Sequence, residues 1–153
     1  MIFTIGYQRL DNNRLMQVVG ALNALLIDVR SNPQSRKPGF SQKALRETFG
    51  AAYLWLGDCL GGKTPVTEHG LSQLDVYENH PTHHCLLLCM EEAPGECHPH
   101  HAICGPHFPD AIHLFRDHGM TARELSQAFA DDVEDYPIAD LEEFGALVEL
   151  FPA

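Results

Sequence analysis

The sequence predicts one α/β domain of three layers, in which helices cover both faces of a mostly parallel sheet of five strands. Short apolar, β-prone runs alternate along the chain with segments of helical periodicity, which is the pattern of βαβ units. The run at residues 25–30 is almost continuously apolar, as is usual for a strand covered on both faces in a parallel sheet. A chain of 153 residues can bury a core of this size, and we assign residues 1–153 to a single domain.

A stop signal and a cap mark the first strand and the first helix. Residues 2–5 are apolar and β-prone and precede Gly6, which predicts the first strand. Asp11 is a favoured N-cap for the helix that follows. Four aliphatic residues then recur at helical spacing and predict its buried face: Leu15, Val18, Val19 and Leu22.

Two further strands enclose a loop and a helix. Apolar residues at 25–30 predict the second strand, and residues 52–56 predict the third. Residues 31–40 are dense in Pro, Gly and Ser, which indicates a loop. Ser41 is a favoured N-cap, and it predicts a helix that runs to about residue 49.

The remaining elements of the sheet lie between residues 61 and 115. Glycines at the start of residues 61–65 indicate a turn, and residues 71–78 predict a helix. Residues 84–89 form the fourth predicted strand and 110–115 the fifth. Between these two strands, residues 99–107 predict a helix with proline in its first turn, where proline is favoured.

The C-terminal part, residues 119–153, is predicted to be helical. A capping box at residues 121–124 starts one helix that ends near residue 129. An amphipathic pattern at residues 141–150, acidic near its start, predicts the last helix.

Charge is divided unevenly along the chain, whose formal net charge is −11. Residues 1–63 hold eight Lys and Arg against four Asp and Glu, whereas residues 64–153 hold two against seventeen. An acidic protein has low non-specific affinity for nucleic acid, because non-specific binding depends on cationic side chains that neutralise the phosphates. We therefore expect no non-specific nucleic-acid binding, although a local basic pocket for one small anion is allowed.

The expected location is the cytoplasm. No apolar run approaches the roughly 18 residues of a membrane-spanning helix, so no membrane partner is expected. The first six residues lack the features of a signal peptide. In the cytoplasm the five cysteines are expected to be free thiols, metal ligands or nucleophiles rather than disulfides. A homodimer stays open.

Titratable and soft side chains are concentrated between residues 85 and 104. Four of the five cysteines and three histidines fall in this segment, together with Glu91. Core packing does not need this density of reactive groups. Cys85 is the exception, because a free cysteine inside a strand is usually part of the core.

Polar residues also follow three of the predicted strands. Arg9 and Tyr7 come after the first strand, Asp28 and Arg30 end the second, and Cys89 with Glu91 ends the fourth. In open parallel sheets, ligands bind outside the carboxyl ends of the strands. The sequence therefore predicts a pocket at this edge.

Four motifs in order along residues 3–115 together resemble the family catalogued as domain of unknown function 488. The resemblance implies a compact α/β domain without an established activity. One position departs from the family pattern, because Pro99 stands where Cys-His is usually followed by arginine, so an anion-binding role of that arginine does not carry over. The motifs are residues 4–7, residues 26–41, residues 60–62, and residues 87–91 followed by Cys97 and His98.

The first functional hypothesis is a pocket for a small anionic or nucleotide-like ligand, with or without thiol-based catalysis. Guanidinium groups suit bidentate binding of phosphate or carboxylate. Cys97 precedes a predicted helix, whose N-terminus favours a thiolate, and Cys89 is the rival nucleophile. Glu91 is the candidate general acid or base. The candidate ligand-binding residues are Arg9, Tyr7, Asp28, Arg30, Arg36 and His98.

Two alternatives stay open beside it. The first is a zinc-type metal site, because Cys and His are the ligands that zinc prefers, although no Cys-x-x-Cys pair is present. The second is a non-catalytic interaction module that presents the acidic C-terminal half to a partner. The candidate metal ligands are Cys97, His98, His100, His101 and Cys104.

Overall fold

The computed structural model describes residues 1–8, 10–63, 65–91, 98–108, 110–115 and 138–140. The predicted helices at 121–129 and 141–150 lie outside these residues, so both stay predictions. No helix of the described part is long and apolar enough to cross a bilayer.

Six parallel strands form one sheet in the described part of the chain, which confirms the predicted α/β class. All five predicted strands are present, and a sixth short strand extends the sheet at one edge, in the part of the chain predicted to be helical. The strand order is β3-β2-β4-β1-β5-β6, and every neighbouring pair is parallel. The strands are β1 (Ile2–Gly6), β2 (Ala24–Asp28), β3 (Tyr53–Trp55), β4 (His84–Cys89), β5 (Ile112–Phe115) and β6 (Ile138–Asp140).

Helices connect these strands, and side-chain caps start the longer ones. The Asp11 side chain accepts a hydrogen bond from the backbone N–H of Arg14 at 2.7 Å, and Ser41 accepts one from Ala44 at 3.2 Å. Thr67 caps α4, which begins at Glu68, three residues before the predicted start. The helices are α1 (Asn12–Leu22), α2 (Gln42–Phe49), α3 (Gly57–Leu60), α4 (Glu68–Glu78), a π-helix (Pro99–Cys104) and α5 (Gly105–His107), with a 3₁₀ turn at Gly50–Ala52.

Two apolar clusters lie on opposite faces of the sheet and make the three layers. On one face, Leu15 and Leu45 of α1 and α2 pack with Phe3. On the other face, Leu74 of α4 packs with Leu87, together with the segment from Ile103 to Phe108. Cys85 belongs to this second cluster, as the sequence predicts.

The order of the strands creates a crevice at the carboxyl end of β4. The chain leaves β1 and β2 toward α1 and α2 on one face of the sheet. It leaves β4, which lies between them, toward the π-helix on the other face. Because the connections diverge there, the loops after β1, β2 and β4 leave space between them, as at the ligand sites of other open sheets.

Candidate functional site

A pocket of about 380 Å³ occupies this crevice. It is open to the surface and lies at the carboxyl ends of β1, β2 and β4. Its lining consists of Tyr7 after β1, of Val29, Arg30, Ser31, Asn32 and Gln34 after β2, of Gly62 and Lys63 after α3, and of Cys89, Met90, Glu91, His98 and Pro99 after β4.

The pocket brings together several residues that the sequence singles out. Asp28 lies just below it, fully buried. Arg36 is exposed and is not among the described lining residues. Arg9 and Cys97 lie outside the described residues, and their roles stay predictions. Five predicted site residues line the pocket: Tyr7, Arg30, Cys89, Glu91 and His98.

Asp28 holds Arg30 in one position. Its Oδ1 accepts hydrogen bonds from Nε and the backbone N–H of Arg30 at 2.8 and 3.1 Å, and its Oδ2 accepts one from Nη2 at 2.7 Å. Nη1 of Arg30 donates to the carbonyl oxygen of Phe40 at 2.8 Å. The guanidinium group is therefore fixed, and its two terminal nitrogens carry more N–H groups than these bonds use.

The charges of this pair stabilise each other. Burial alone would lower the pKa of Arg30, but the hydrogen bond and charge of Asp28, with a smaller contribution from Tyr7, raise the pKa above its usual value. Tyr53 donates its hydroxyl to Oδ2 of Asp28 at 2.6 Å. Burial and this contact with Asp28 raise the pKa of Tyr53, although Arg30 and Arg46 oppose the rise.

Aromatic rings and cations alternate beside Arg30. Its guanidinium carbon lies 5.0 Å from the centre of the Tyr7 ring, and that ring stacks on Phe40 with centroids 4.8 Å apart. Nζ of Lys37 lies 5.3 Å from the centre of the Phe40 ring. It also donates to the carbonyl oxygens of Tyr7 and Gln8 at 2.8 and 3.0 Å. Lys37 thus ties the loop after β2 to the end of β1.

Close backbone contacts place α3 against the end of β2. A Cβ atom at Gly57 would collide with the carbonyl oxygen of Arg30, and one at Gly61 would collide with Oγ of Ser31. That hydroxyl accepts a hydrogen bond from the backbone N–H of Lys63 at 3.0 Å. Glycine at both positions lets Lys63 approach the loop after β2, so that both line the same pocket.

His98 is held through one ring nitrogen. Its Nε2 lies 2.7 Å from the carbonyl oxygen of Leu60, and because a carbonyl only accepts, Nε2 is the protonated nitrogen. Nδ1 remains for other contacts. A Cβ atom at Gly62 would lie 3.3 Å from Cγ of His98, so glycine here leaves the ring uncovered.

The thiol of Cys89 lines the pocket but is almost inaccessible. Cys89 is only 4% exposed to solvent. Its Sγ lies 3.2 Å from the carbonyl oxygen of Glu91 and 3.7 Å from that of Ile5, and its one thiol hydrogen is donated to one of them at a time. A role of Cys89 as nucleophile stays a prediction.

The described part of the chain contains no group of three or more His, Cys, Asp or Glu side chains that could hold a metal ion. Cys104 is fully buried in the second apolar cluster. Cys97 and the side chains of His100 and His101 lie outside the described residues, so a metal site that includes them stays a prediction.

Sequence reasoning missed part of the lining. Ser31, Asn32 and Gln34 lie in the loop after β2, and only their place behind a strand end could have indicated them. Lys63 follows Gly61 and Gly62, whose sequence indicates a turn and no ligand contact. Its position depends on the contact between α3 and β2, for which the sequence carries no spacing signal.

A family model described as "Domain of unknown function DUF488" matches residues 20–70. This stretch is about a third of the chain and includes β2, α2, β3 and α3 with Asp28, Arg30 and Lys63. The match confirms the resemblance predicted from the motifs, and it covers the longest of them. No curated protein and no solved structure matches the chain.

Proposed function

We propose that this protein, whose residues 20–70 match the family DUF488, binds a small anionic, nucleotide-like ligand in the pocket at the carboxyl ends of β1, β2 and β4. The observation that carries the proposal is the presence of two cationic side chains, Arg30 and Lys63, in the lining of one pocket. Arg30 is already fixed by Asp28, so binding loses little side-chain entropy there.

The charge distribution favours a ligand with both an anionic group and hydrogen-bond donors. Asp28 balances Arg30, whereas the exposed Lys63 has no ion pair among the residues that the structure describes and shares the pocket lining with Glu91. An anionic group on the ligand therefore binds at the Lys63 and Arg30 side. A carboxylate only accepts hydrogen bonds, so Glu91 suits an amino or hydroxyl group of the same ligand.

Neutral groups and size agree with a ligand of this kind. Ser31, Asn32 and Gln34 add hydroxyl and amide groups that both donate and accept. A pocket of about 380 Å³ lies at the lower end of the range of about 300–1,000 Å³ typical of small-molecule sites. A mononucleotide has this combination of charge, polarity and modest size.

The proposal is one of binding. Catalysis by Cys97, with Glu91 as acid or base, stays a prediction, since Cys97 lies outside the described residues. The cytoplasm stays the proposed location, and a homodimer stays open.

Calorimetric titration with inorganic phosphate and with adenosine monophosphate tests the proposal. Lys63→Met removes the exposed cation and should weaken the binding of both ligands by about fivefold. This change corresponds to a loss of about 1 kcal/mol of binding free energy. Lys43→Met is the matched control, because Lys43 is an exposed lysine on α2 outside the pocket. Equal affinity of the Lys63→Met variant and the wild type, or no saturable binding of either ligand, would contradict the proposal.

Glu91→Gln separates nucleotide recognition from plain anion binding. Loss of its negative charge should strengthen phosphate binding and reduce the advantage of adenosine monophosphate over phosphate. Glu47→Gln, an exposed glutamate of α2, is the control. A parallel change for both ligands would show that Glu91 does not contact the nucleoside part.

A further inference from the structure

The turn between α4 and β4 brings two histidine rings together at the surface, far from the pocket. Nδ1 of His80 and Nδ1 of His83 lie 3.1 Å apart, and the ring planes meet at 68° with centroids 4.7 Å apart. Oγ1 of Thr82 lies 2.8 Å from Nδ1 of His83 and 3.3 Å from Nδ1 of His80. Three side-chain atoms with lone pairs therefore converge at one point of the surface.

The protein holds this turn in place from both sides. Asn23, the left-handed residue that ends α1, donates its side-chain amide to the carbonyl oxygen of Thr82 at 2.6 Å. The backbone N–H of His80 donates to the carbonyl oxygen of Tyr77 at 3.1 Å. Pro81 between the two histidines fixes its own φ angle. The two rings are thus positioned before any ligand arrives, which lowers the entropy lost on binding.

The spacing of the two nitrogens fits one transition-metal ion. Imidazole nitrogens bind such ions at about 2.0–2.1 Å. With nitrogens 3.1 Å apart, an ion bound to both would have an N–metal–N angle of about 100°, between the octahedral and tetrahedral values. We propose that His80 and His83 bind one divalent transition-metal ion through their Nδ1 atoms, with water in the remaining positions. The ion takes the place of the proton that the two nitrogens share in the metal-free protein.

This site is separate from the pocket and independent of the proposed function. The turn precedes β4, whereas the pocket lies after it, and a strand of this length spans about 17 Å. The part of the chain that the structure describes offers no third Cys, His, Asp or Glu ligand here, so the ion stays exchangeable. Imidazole ligands favour Cu²⁺, Ni²⁺ and Zn²⁺ over Mg²⁺ and Ca²⁺, with Cu²⁺ bound most tightly.

The chain contains ten histidines, so the test must locate the ion. In the ¹⁵N-labelled full chain, substoichiometric Cu²⁺ should first broaden the amide signals of residues 79–84. Calorimetry with Ni²⁺ should show that His80→Asn and His83→Asn each weaken one binding event by at least about tenfold, the smallest loss usual for residues that support a metal site. Because His80 is exposed and His83 is only half-buried, these variants should fold normally.

His69→Asn is the matched control, since His69 is an exposed histidine of α4 that contacts Gln73 instead. It should bind Ni²⁺ as the wild type does. The proposal is overturned by broadening that starts at other histidines, or by Ni²⁺ affinity that is the same in the wild type and in the His80→Asn variant.

Discussion

Asp28 is the residue on which the geometry of the pocket depends. It is fully buried, yet its two oxygens accept four hydrogen bonds, three from Arg30 and one from Tyr53. A buried carboxylate is tolerated only when its charge and lone pairs are matched in this way. Asp28 therefore holds Arg30 in position, and its own contact with a ligand stays a prediction.

Neutralising Asp28 should destabilise the protein strongly. Asp28→Asn leaves the guanidinium of Arg30, whose side chain is 8% exposed, without its counter-charge. We expect the free energy of unfolding to fall by about 3 kcal/mol, as when one partner of a buried pair is removed. Urea denaturation measures this change, and Asp75→Asn on the exposed face of α4 is the control. A loss no larger than that of the control would show that the pair contributes little.

Alkaline pH should weaken the fold through Cys85 and Tyr53. Burial raises the pKa of Cys85 to about 12, although the N-terminal amine opposes the rise, and burial with Asp28 also raises the pKa of Tyr53. Both groups are neutral in the folded protein. Below the pKa that each group has in the unfolded chain, its contribution to stability is complete. As the pH rises above that pKa, the free energy of unfolding falls by at most about 1.4 kcal/mol per pH unit for each group.

Urea denaturation between pH 8 and pH 11 should therefore show stability falling above about pH 9, the usual range of thiol ionisation. Cys85→Ala should make the slope shallower, whatever its effect on stability at pH 8. An identical slope in the variant would contradict the assignment to Cys85.

At the scale of elements, the contact of α3 with β2 depends on glycine. No side chain fits at Gly57, because a Cβ atom there meets the backbone of Arg30 and the indole of Trp55. Trp55 Nε1 donates to that same carbonyl at 2.9 Å, so the carbonyl cannot move away freely. The position of α3, and with it that of Lys63, follows from this close approach.

Two glycine substitutions should act in opposite directions. Gly57→Ala should lower the free energy of unfolding by about 3 kcal/mol through overpacking. Gly20→Ala in α1, where a Cβ atom meets nothing within 4 Å, should raise it by about 0.5–1 kcal/mol. Thermal and urea unfolding measure both. A Gly57→Ala variant as stable as the wild type would show that α3 can shift, and the account of Lys63 would then be wrong.

Elements were predictable where their signals are local. The caps Asp11 and Ser41 and the apolar run of β4 act over a few residues, so the sequence was sufficient. The four-residue α3 has no periodicity and was missed, because tertiary contact at Gly57 forms it. The predicted helix at 99–107 has the right place, but its first part is a π-helix, a difference that no residue pattern here indicates.

The site was predictable to the extent that parallel strands align their ends. That rule is enough to bring Arg30, Cys89 and Glu91 to one pocket. It fails inside the loop after β2, where Arg36 and Lys37 are adjacent cations. Lys37 bonds to the end of β1, while Arg36 is exposed, and only the path of the loop distinguishes them.

At the scale of the whole molecule, the pocket draws its cations from the basic first part of the chain. Both Arg30 and Lys63 lie within residues 1–63, which hold eight of the ten Lys and Arg residues. The short strand β6 was not predicted, because its pairing with β5 is a long-range contact of three residues. The acidic residues 131–135 lie outside the described part, and a partner surface there stays a prediction.

The most direct test of the central claim is a crystal structure of the protein with adenosine monophosphate at saturating concentration. We predict the phosphate group within hydrogen-bond distance of Nζ of Lys63 and a terminal nitrogen of Arg30, and the nucleoside part near Glu91. Nucleotide bound elsewhere, or a pocket without nucleotide under these conditions, would contradict the account.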